Sequence, residues 1–327
     1  MKDVSNYTVL VTARSFGKND PLPVKILEQN GCTVIRSAGD RPLQSAELAS
    51  LITEADALIA GNDQVDAAVI EAGKKLKIIS RYGVGVDNID LAAATAKEIP
   101  VTNTPGTNEH SVADLVFGLM LSVARKIPEV NGLVRAGGWD RRLGTEVWGK
   151  TLGIIGFGKI GKGVARRARG FNMKVLVNDV YIDEVLAKEH EVTFVSREVL
   201  ISQADFLTLH APSTPETKSM IGGAQFKMMK PGAILVNTAR GGLIDENALV
   251  EAITKGLIAG AALDVLEQEP PQNRELLELN NVLITSHIGG YTAEAVNAMS
   301  MLAAENVVKG LTGTRLELAV NQEIYQD

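Results

Sequence analysis

Residues 150–179 constrain the fold of this chain more than any other stretch. An apolar run at 152–155 reads as a buried parallel strand, and Gly156, Gly158 and Gly161 then open a helical pattern. Gly156 permits a sharp turn, Gly158 lets the backbone come close to a pyrophosphate, and Gly161 lets helix and strand pack closely. Phosphates on the helix N-terminus would meet free N–H groups and a favourable dipole. A second apolar run at 175–177 ends in Asn178 and Asp179, and an acid about 20 residues past the glycines is where a ribose hydroxyl is gripped. Strand, turn, helix, second strand and terminal acid together predict a dinucleotide site.

With 327 residues the chain is long enough for two domains, each with its own core. Lys and Arg number 33 against 39 Asp and Glu, a formal net charge of -6, so neither nucleic acid nor an anionic membrane is an expected partner. Cys32 is the only cysteine, which excludes an internal disulfide or a cysteine-based metal cluster, and its neighbours place it in a strand rather than at a reactive site. No His/Asp/Glu grouping has ligand spacing, so no metal is expected. The first residues contain no apolar leader core, and no apolar run reaches the length of a membrane span. Cytoplasmic residence is the resulting expectation.

Strand-like runs at 8–11, 33–35, 57–60, 77–80 and 101–102 alternate with helical runs at 22–29, 45–54, 65–72 and 91–97. Such alternation means a parallel sheet covered by helices, a small α/β domain in its own right. Loops 61–64 and 81–88 fall at strand ends, where ligands collect, although simple turn chemistry explains Gly83 and Gly85 equally well. Pro105 and Gly106 then break the pattern before a long helix starting near Asn108. That helix is apolar nearly all round, so domain packing and a subunit contact are expected to cover it together. His110 falls in its first turn. The glycine-rich segment 131–149 carries Trp139, Trp148, Arg135, Arg141 and Arg142, and so long an irregular connection is functional or an assembly arm. From Thr151 onward seven strands complete a dinucleotide-binding sheet, and a final helix at about 293–309 carries the chain back toward the first domain.

Hydride transfer asks for a group to hold the substrate acid, a proton donor or acceptor for its oxygen, and correct placement. Arg240 follows the strand ending at Asn237 and can hold a carboxylate in two-point contact. His287 and His210 both project from strand ends, and spacing does not choose between them. His190, among charged neighbours, looks like a solvated helix end. Asp264, Glu267 and Glu269 follow another strand. A carboxylate beside an imidazole orients the ring and favours its protonated form, but sequence alone leaves open which acid does so.

The motifs Gly156-Phe-Gly-Lys-Ile-Gly161, Leu209-His-Ala-Pro212, Met229 to Asp245 with its Asn-Thr-Ala-Arg240-Gly-Gly, Ala262 to Pro270 and His287-Ile-Gly-Gly290 resemble the NAD-dependent D-2-hydroxyacid dehydrogenase family. The phosphoglycerate dehydrogenase-like branch fits best, and Arg81 to Asn88 match its substrate loop. The resemblance implies Arg240, Glu269 and His287 as the catalytic set, against His210. It implies Gly156, Gly158, Lys159, Ile160, Gly161, Asp179, Ala211, Pro212, Thr238, Ala239 and Asp264 around NAD, with Asp264 near the nicotinamide. Arg81 and the backbone N–H groups of Val84 and Gly85 would join Arg240 and His287 at the substrate. The implied fold is α/β with two doubly wound parallel-sheet domains. A Rossmann-type domain, 104–290, is inserted into a smaller flavodoxin-like substrate domain made of 1–103 and 291–327. A homodimer is expected.

Departures from the family pattern narrow the reading. Ser286 stands where the family usually has Pro, and the sequence stops before the regulatory domains of longer relatives, so serine feedback is not expected. The loop Gly61-Asn-Asp63-Gln64 lacks the Arg that typically holds a substrate phosphate and carries a negative charge instead. Unphosphorylated 2-keto acids such as glyoxylate or hydroxypyruvate are therefore expected to rival 3-phosphohydroxypyruvate. The rival class is an NAD(H)-sensing corepressor-type scaffold on the same fold. A formate dehydrogenase would usually carry Gln in place of Glu269.

Overall fold

The computed structural model describes residues 6–39 and 41–326. The N-terminal residues 1–5, read above for the lack of a leader core, lie outside them. The chain divides into two compact units, one formed by Met1–Asn108 with Gly290–Asp327 and the other by Glu109–Gly289.

In the first unit, β1 (Tyr7–Val11), α1 (Leu22–Gln29), β2 (Cys32–Arg36), α2 (Ser45–Leu51), β3 (Ala57–Ala60), α3 (Ala67–Ala72), β4 (Ile78–Arg81), α4 (Leu91–Ala96) and β5 (Val101–Thr102) alternate along the chain. The strands form one parallel sheet in the order β2-β1-β3-β4-β5. Because side chains alternate across a strand, Leu10, Leu58 and Ile79 feed one core and Val9, Val11, Ile59 and Ile78 the other.

The second unit opens with α5 (Glu109–Ala124) and α6 (Ile127–Arg135). Its sheet elements are β6 (Thr151–Ile155), α7 (Lys159–Ala168), β7 (Lys174–Asn178), α8 (Glu184–His190), β8 (Thr193–Phe194), α9 (Arg197–Gln203), β9 (Phe206–Leu209), α10 (Gly223–Met228), β10 (Ile234–Asn237), α11 (Glu246–Thr254), β11 (Gly260–Leu263), α12 (Arg274–Leu277) and β12 (Val282–Ile284). All seven strands are parallel, in the order β12-β11-β10-β9-β6-β7-β8. This is the doubly wound arrangement, in which ligands gather at the carboxyl ends of the strands. Leu152, Ile154 and Phe206 pack under α5 and α7, whereas Leu207, Leu209 and Leu235 pack under α9, α10 and α11. The chain then returns to the first unit through α13 (Ala293–Leu311), whose Met299, Ala303 and Val307 lie against Val9, Ile59 and Ile78.

Three details differ from the sequence reading. Much of the apolar surface of α5 is covered within its own unit, by α7 and the sheet, so its composition does not by itself call for a subunit contact. The segment after Lys126 is helical as far as Arg135: Pro128 in the first turn and Arg135 in the last suit helix ends, and they outweigh a mid-helix Gly132. His190 is buried rather than solvated, with its ring edge-on to Phe157 at 5.6 Å between centroids. Burial lowers its pKa.

Candidate active site

The nucleotide-binding turn begins where β6 ends. Gly156 has φ +93°, and a Cβ there would come 2.6 Å from the carbonyl of His210, so glycine is required for both conformation and close approach. A Cβ at Gly161 would collide with the carbonyl oxygen of Gly156, which accounts for the third glycine. Gly158, by contrast, faces open space and caps α7 without any side-chain hydrogen bond. The first N–H groups of α7, from Lys159 and Ile160, therefore point out of the helix toward that space, as a phosphate cradle requires.

Asp179 follows β7 and reaches back to this turn: Oδ2 accepts from the N–H of Phe157 at 2.5 Å and Oδ1 from the N–H of Tyr181 at 2.9 Å. The carboxylate is thereby fixed beside exposed Val180 and Tyr181, an apolar platform next to a hydrogen-bond acceptor. Ala211 and Pro212 follow β9, and Thr238 and Ala239 follow β10, so all four lie at carboxyl ends of the same sheet. Among the described residues, Thr238 Oγ1 and His210 Nδ1 are sealed from solvent without a hydrogen-bond partner. The open glycine turn at a helix N-terminus, with the Asp179 carboxylate fixed beside it, fits a dinucleotide.

Arg240, Glu269 and His287 follow β10, β11 and β12, three consecutive strands. Gly241 sets how close the first two loops come, because a Cβ there would collide with the Leu266 carbonyl. Glu269 Oε1 accepts from the N–H of Leu266 at 3.2 Å, and its Oε2 lies 2.8 Å from His287 Nδ1. A carboxylate can only accept, so Nδ1 carries the proton and Nε2 is turned to other partners. Both side chains are about one-third exposed, open to a substrate. His210 is different in kind: its Nε2 shares a 3.0 Å hydrogen bond with Thr208 Oγ1, and burial holds its pKa down at about 3. No group of three or more His, Cys, Asp or Glu among the described residues is arranged to hold a metal ion.

Asp264 is 1% exposed and sits at the end of β11. Its carboxylate is occupied by the His287 turn, a set of contacts that sequence spacing does not reveal.

In the first unit, Gly83 N–H donates to Thr104 Oγ1 at 3.0 Å and Asn103 Nδ2 donates to Val84 O at 2.7 Å. These bonds hold the 81–88 loop while Val84 stays exposed. Among the described residues the N–H groups of Val84 and Gly85 donate to nothing, which leaves two adjacent donors for an anion. Arg81 is buried, its guanidinium donating to Asn62 Oδ1 at 2.8 Å and to the carbonyl of Tyr82, so it braces the loop.

Asp63 corrects the expectation of a negatively charged substrate loop. It is 2% exposed, and its carboxylate accepts from Thr12 Oγ1, from Gly61 N–H at 3.0 Å and from Leu43 N–H at 2.8 Å. The loop shows Asn62 and Gln64 to solvent instead. Arg14 is exposed just after β1, and Ser15 beside it donates to Tyr82 Oη at 3.2 Å.

A family model described as "D-isomer specific 2-hydroxyacid dehydrogenase, NAD binding domain" matches residues 117–289. The chain belongs to this family. Its second unit is accordingly the NAD-binding domain. The chain is 46% identical over 309 residues to a D-3-phosphoglycerate dehydrogenase of Methanocaldococcus jannaschii, covering 92% of this chain and 58% of that protein. Thus the chain spans little more than half the length of that relative. It is 44% identical over 283 residues to a glyoxylate reductase of Thermococcus litoralis, covering 84% of this chain and 86% of the relative. The crystal structure of a glyoxylate reductase from Paecilomyes thermophila superposes with a TM-score of 0.86 at 30% identity, covering 97% of this chain and 99% of that one.

Proposed function

We propose that this chain interconverts small D-2-hydroxy acids and 2-keto acids with NAD(H), with Arg240, Glu269 and His287 as the groups that handle the substrate. The observation that carries this reading is the 2.8 Å Glu269–His287 contact across the ends of β11 and β12, with Arg240 following β10 on the other side of β11. The bound coenzyme supplies or accepts the hydride. His287 Nε2 gives a proton to the keto oxygen as it gains negative charge, and takes it back in the reverse direction. Glu269 holds the ring by Nδ1 and stabilises the imidazolium. Arg240 clamps the carboxylate and the adjacent oxygen. In this scheme the second unit carries all three of these groups together with the coenzyme turn.

The family relatives named above act on both phosphorylated and unphosphorylated acids by their names, so substrate choice is tested directly. We assign glyoxylate and hydroxypyruvate as substrates at least as good as 3-phosphohydroxypyruvate, because the 61–64 loop offers no Arg. Oxidation of NADH followed by its absorbance with these three acids is the decisive assay. No turnover of any 2-keto acid defeats the reading. A preference of about a hundredfold for the phosphorylated acid, on the order of 2.7 kcal/mol, defeats the substrate assignment. We further propose a cytoplasmic homodimer. Use of a soluble nicotinamide coenzyme supports the compartment, and the exposed apolar groups of α6 and the following arm support the assembly.

A further inference from the structure

We propose that Asn237 and Asp264 are a pair of positioning residues, one fixing the turn that presents Arg240 and the other fixing the turn that presents His287. The inference rests on the functional reading of those two side chains given above.

Asn237 and Asp264 end or directly follow the neighbouring strands β10 and β11, and both are fully buried. Asn237 uses both ends of its amide within one short turn: Oδ1 accepts from Ala239 N–H at 3.0 Å, and Nδ2 donates to Arg240 O at 2.8 Å. Those two bonds fix the backbone on both sides of the Arg240 side chain. Arg240 Nη1 in turn donates to Ala239 O at 2.7 Å, so the guanidinium is held to the same turn.

Asp264 performs the corresponding task one strand over. Oδ1 accepts from Thr285 Oγ1 at 2.6 Å and from Ile288 N–H at 2.8 Å, Oδ2 accepts from Gly289 N–H at 2.8 Å, and its backbone carbonyl accepts from His287 N–H at 2.9 Å. Four donors between 285 and 289 thus converge on one residue. The turn needs such a grip because His287 has φ +55°, a conformation that residues with a β-carbon hold only when their surroundings dictate it. Ser286 gives the turn no proline to stiffen it. An apolar residue in place of Asp264 would leave buried donors unmet and free His287 to relax. The two turns are also joined, since Asp264 N–H donates to Asn237 O at 2.9 Å. The amide and the carboxylate therefore form one buried tier under the reacting groups. This role in the loop stands beside the nicotinamide contact that the family resemblance implies for Asp264.

Asp264→Asn and Asn237→Ala in the full chain test the pair, by hydrogen–deuterium exchange without ligands and by kinetics. In Asp264→Asn we expect exchange at 285–289 to quicken about tenfold or more while the β9 segment stays within about twofold of wild type. Its kcat should fall by about thirtyfold or more at nearly constant KM for the keto acid. Asn237→Ala should quicken exchange at 238–240, raise KM and lower kcat together. Unchanged exchange at these turns overturns the proposal, as does exchange that quickens throughout the sheet. Local quickening in a protein whose wild type turns over no 2-keto acid would leave the positioning tier standing and defeat the functional reading alone.

Discussion

His287→Ala removes the proton relay but leaves the clamp on the carboxylate, so kcat should fall by about 100-fold or more with little change in KM. Arg240→Ala removes a group that holds both ground and transition states, and should raise KM and lower kcat together. Glu269→Gln keeps the shape of the side chain but removes its charge and one of its two acceptors, so kcat should fall with the His287 ring less firmly held; an unchanged kcat would take Glu269 out of the mechanism. Asp179→Ala should narrow a preference for NAD over NADP, because an acceptor for ribose hydroxyls is lost and a repulsion of the 2′-phosphate with it. Equal kcat/KM for the two coenzymes in the unmodified protein would contradict that role. His210 makes a prediction about stability rather than rate. Burial holds its imidazole at about 3, down from 6.5, so over that interval the native state binds fewer protons than the unfolded one. Its contribution is complete above about pH 6.5 and is lost as the pH falls toward 3, by at most about 1.4 kcal/mol per pH unit. Urea unfolding of His210→Gln should show a shallower acid slope than wild type, the remainder including His190, which burial shifts in the same direction.

At the level of the element, glycines divide into those that fill no space and those that have none to give. Gly241→Ala would drive a methyl group into the Leu266 carbonyl, and no side-chain rotation relieves a clash with backbone. We expect a loss of about 1–3 kcal/mol or more in unfolding free energy, and a fall in kcat as the Arg240 and Glu269 loops part. Gly158→Ala meets nothing within 4 Å, so it should leave stability within about 0.5 kcal/mol while weakening NADH binding. Gly241→Ala unfolding at the wild-type urea midpoint would contradict the close approach. The strands were legible because continuous apolar runs between turn residues have few other uses, and Gly156, Gly161 and Asp179 because their spacing carries a mechanism. Gly241, Asp264 and Asn237 were less so: what they do depends on loops from other strands, and spacing along the chain does not report which loops abut. Asp63 was misleading for the same reason, since a carboxylate in a loop reads as exposed charge until Thr12 and Leu43, far off in sequence, are seen to donate to it.

For the whole molecule the open quantity is assembly, and the surface of the second unit makes it testable. No residue of α6 is buried, and beyond that helix Trp139 and Leu143 are 87% and 92% exposed, with Trp148 also open. Single exposed apolar side chains are ordinary, but a helix with no buried face followed by three large apolar groups is not. A second copy of the chain is the occupant that needs no further partner. In a two-fold interface each position is used twice, so one substitution is felt at two places. Burying a leucine side chain is worth about 1.5–3 kcal/mol, and placing a carboxylate there adds to the loss. Leu143→Glu should therefore weaken association by about 3 kcal/mol or more over its two copies, a factor of at least about 100 in Kd. Sedimentation at micromolar concentration should find wild type as a dimer and Leu143→Glu shifted to monomer, with the circular dichroism of both unchanged. A wild-type monomer under those conditions would mean that the exposed face of α6 and the arm is not a self-association surface.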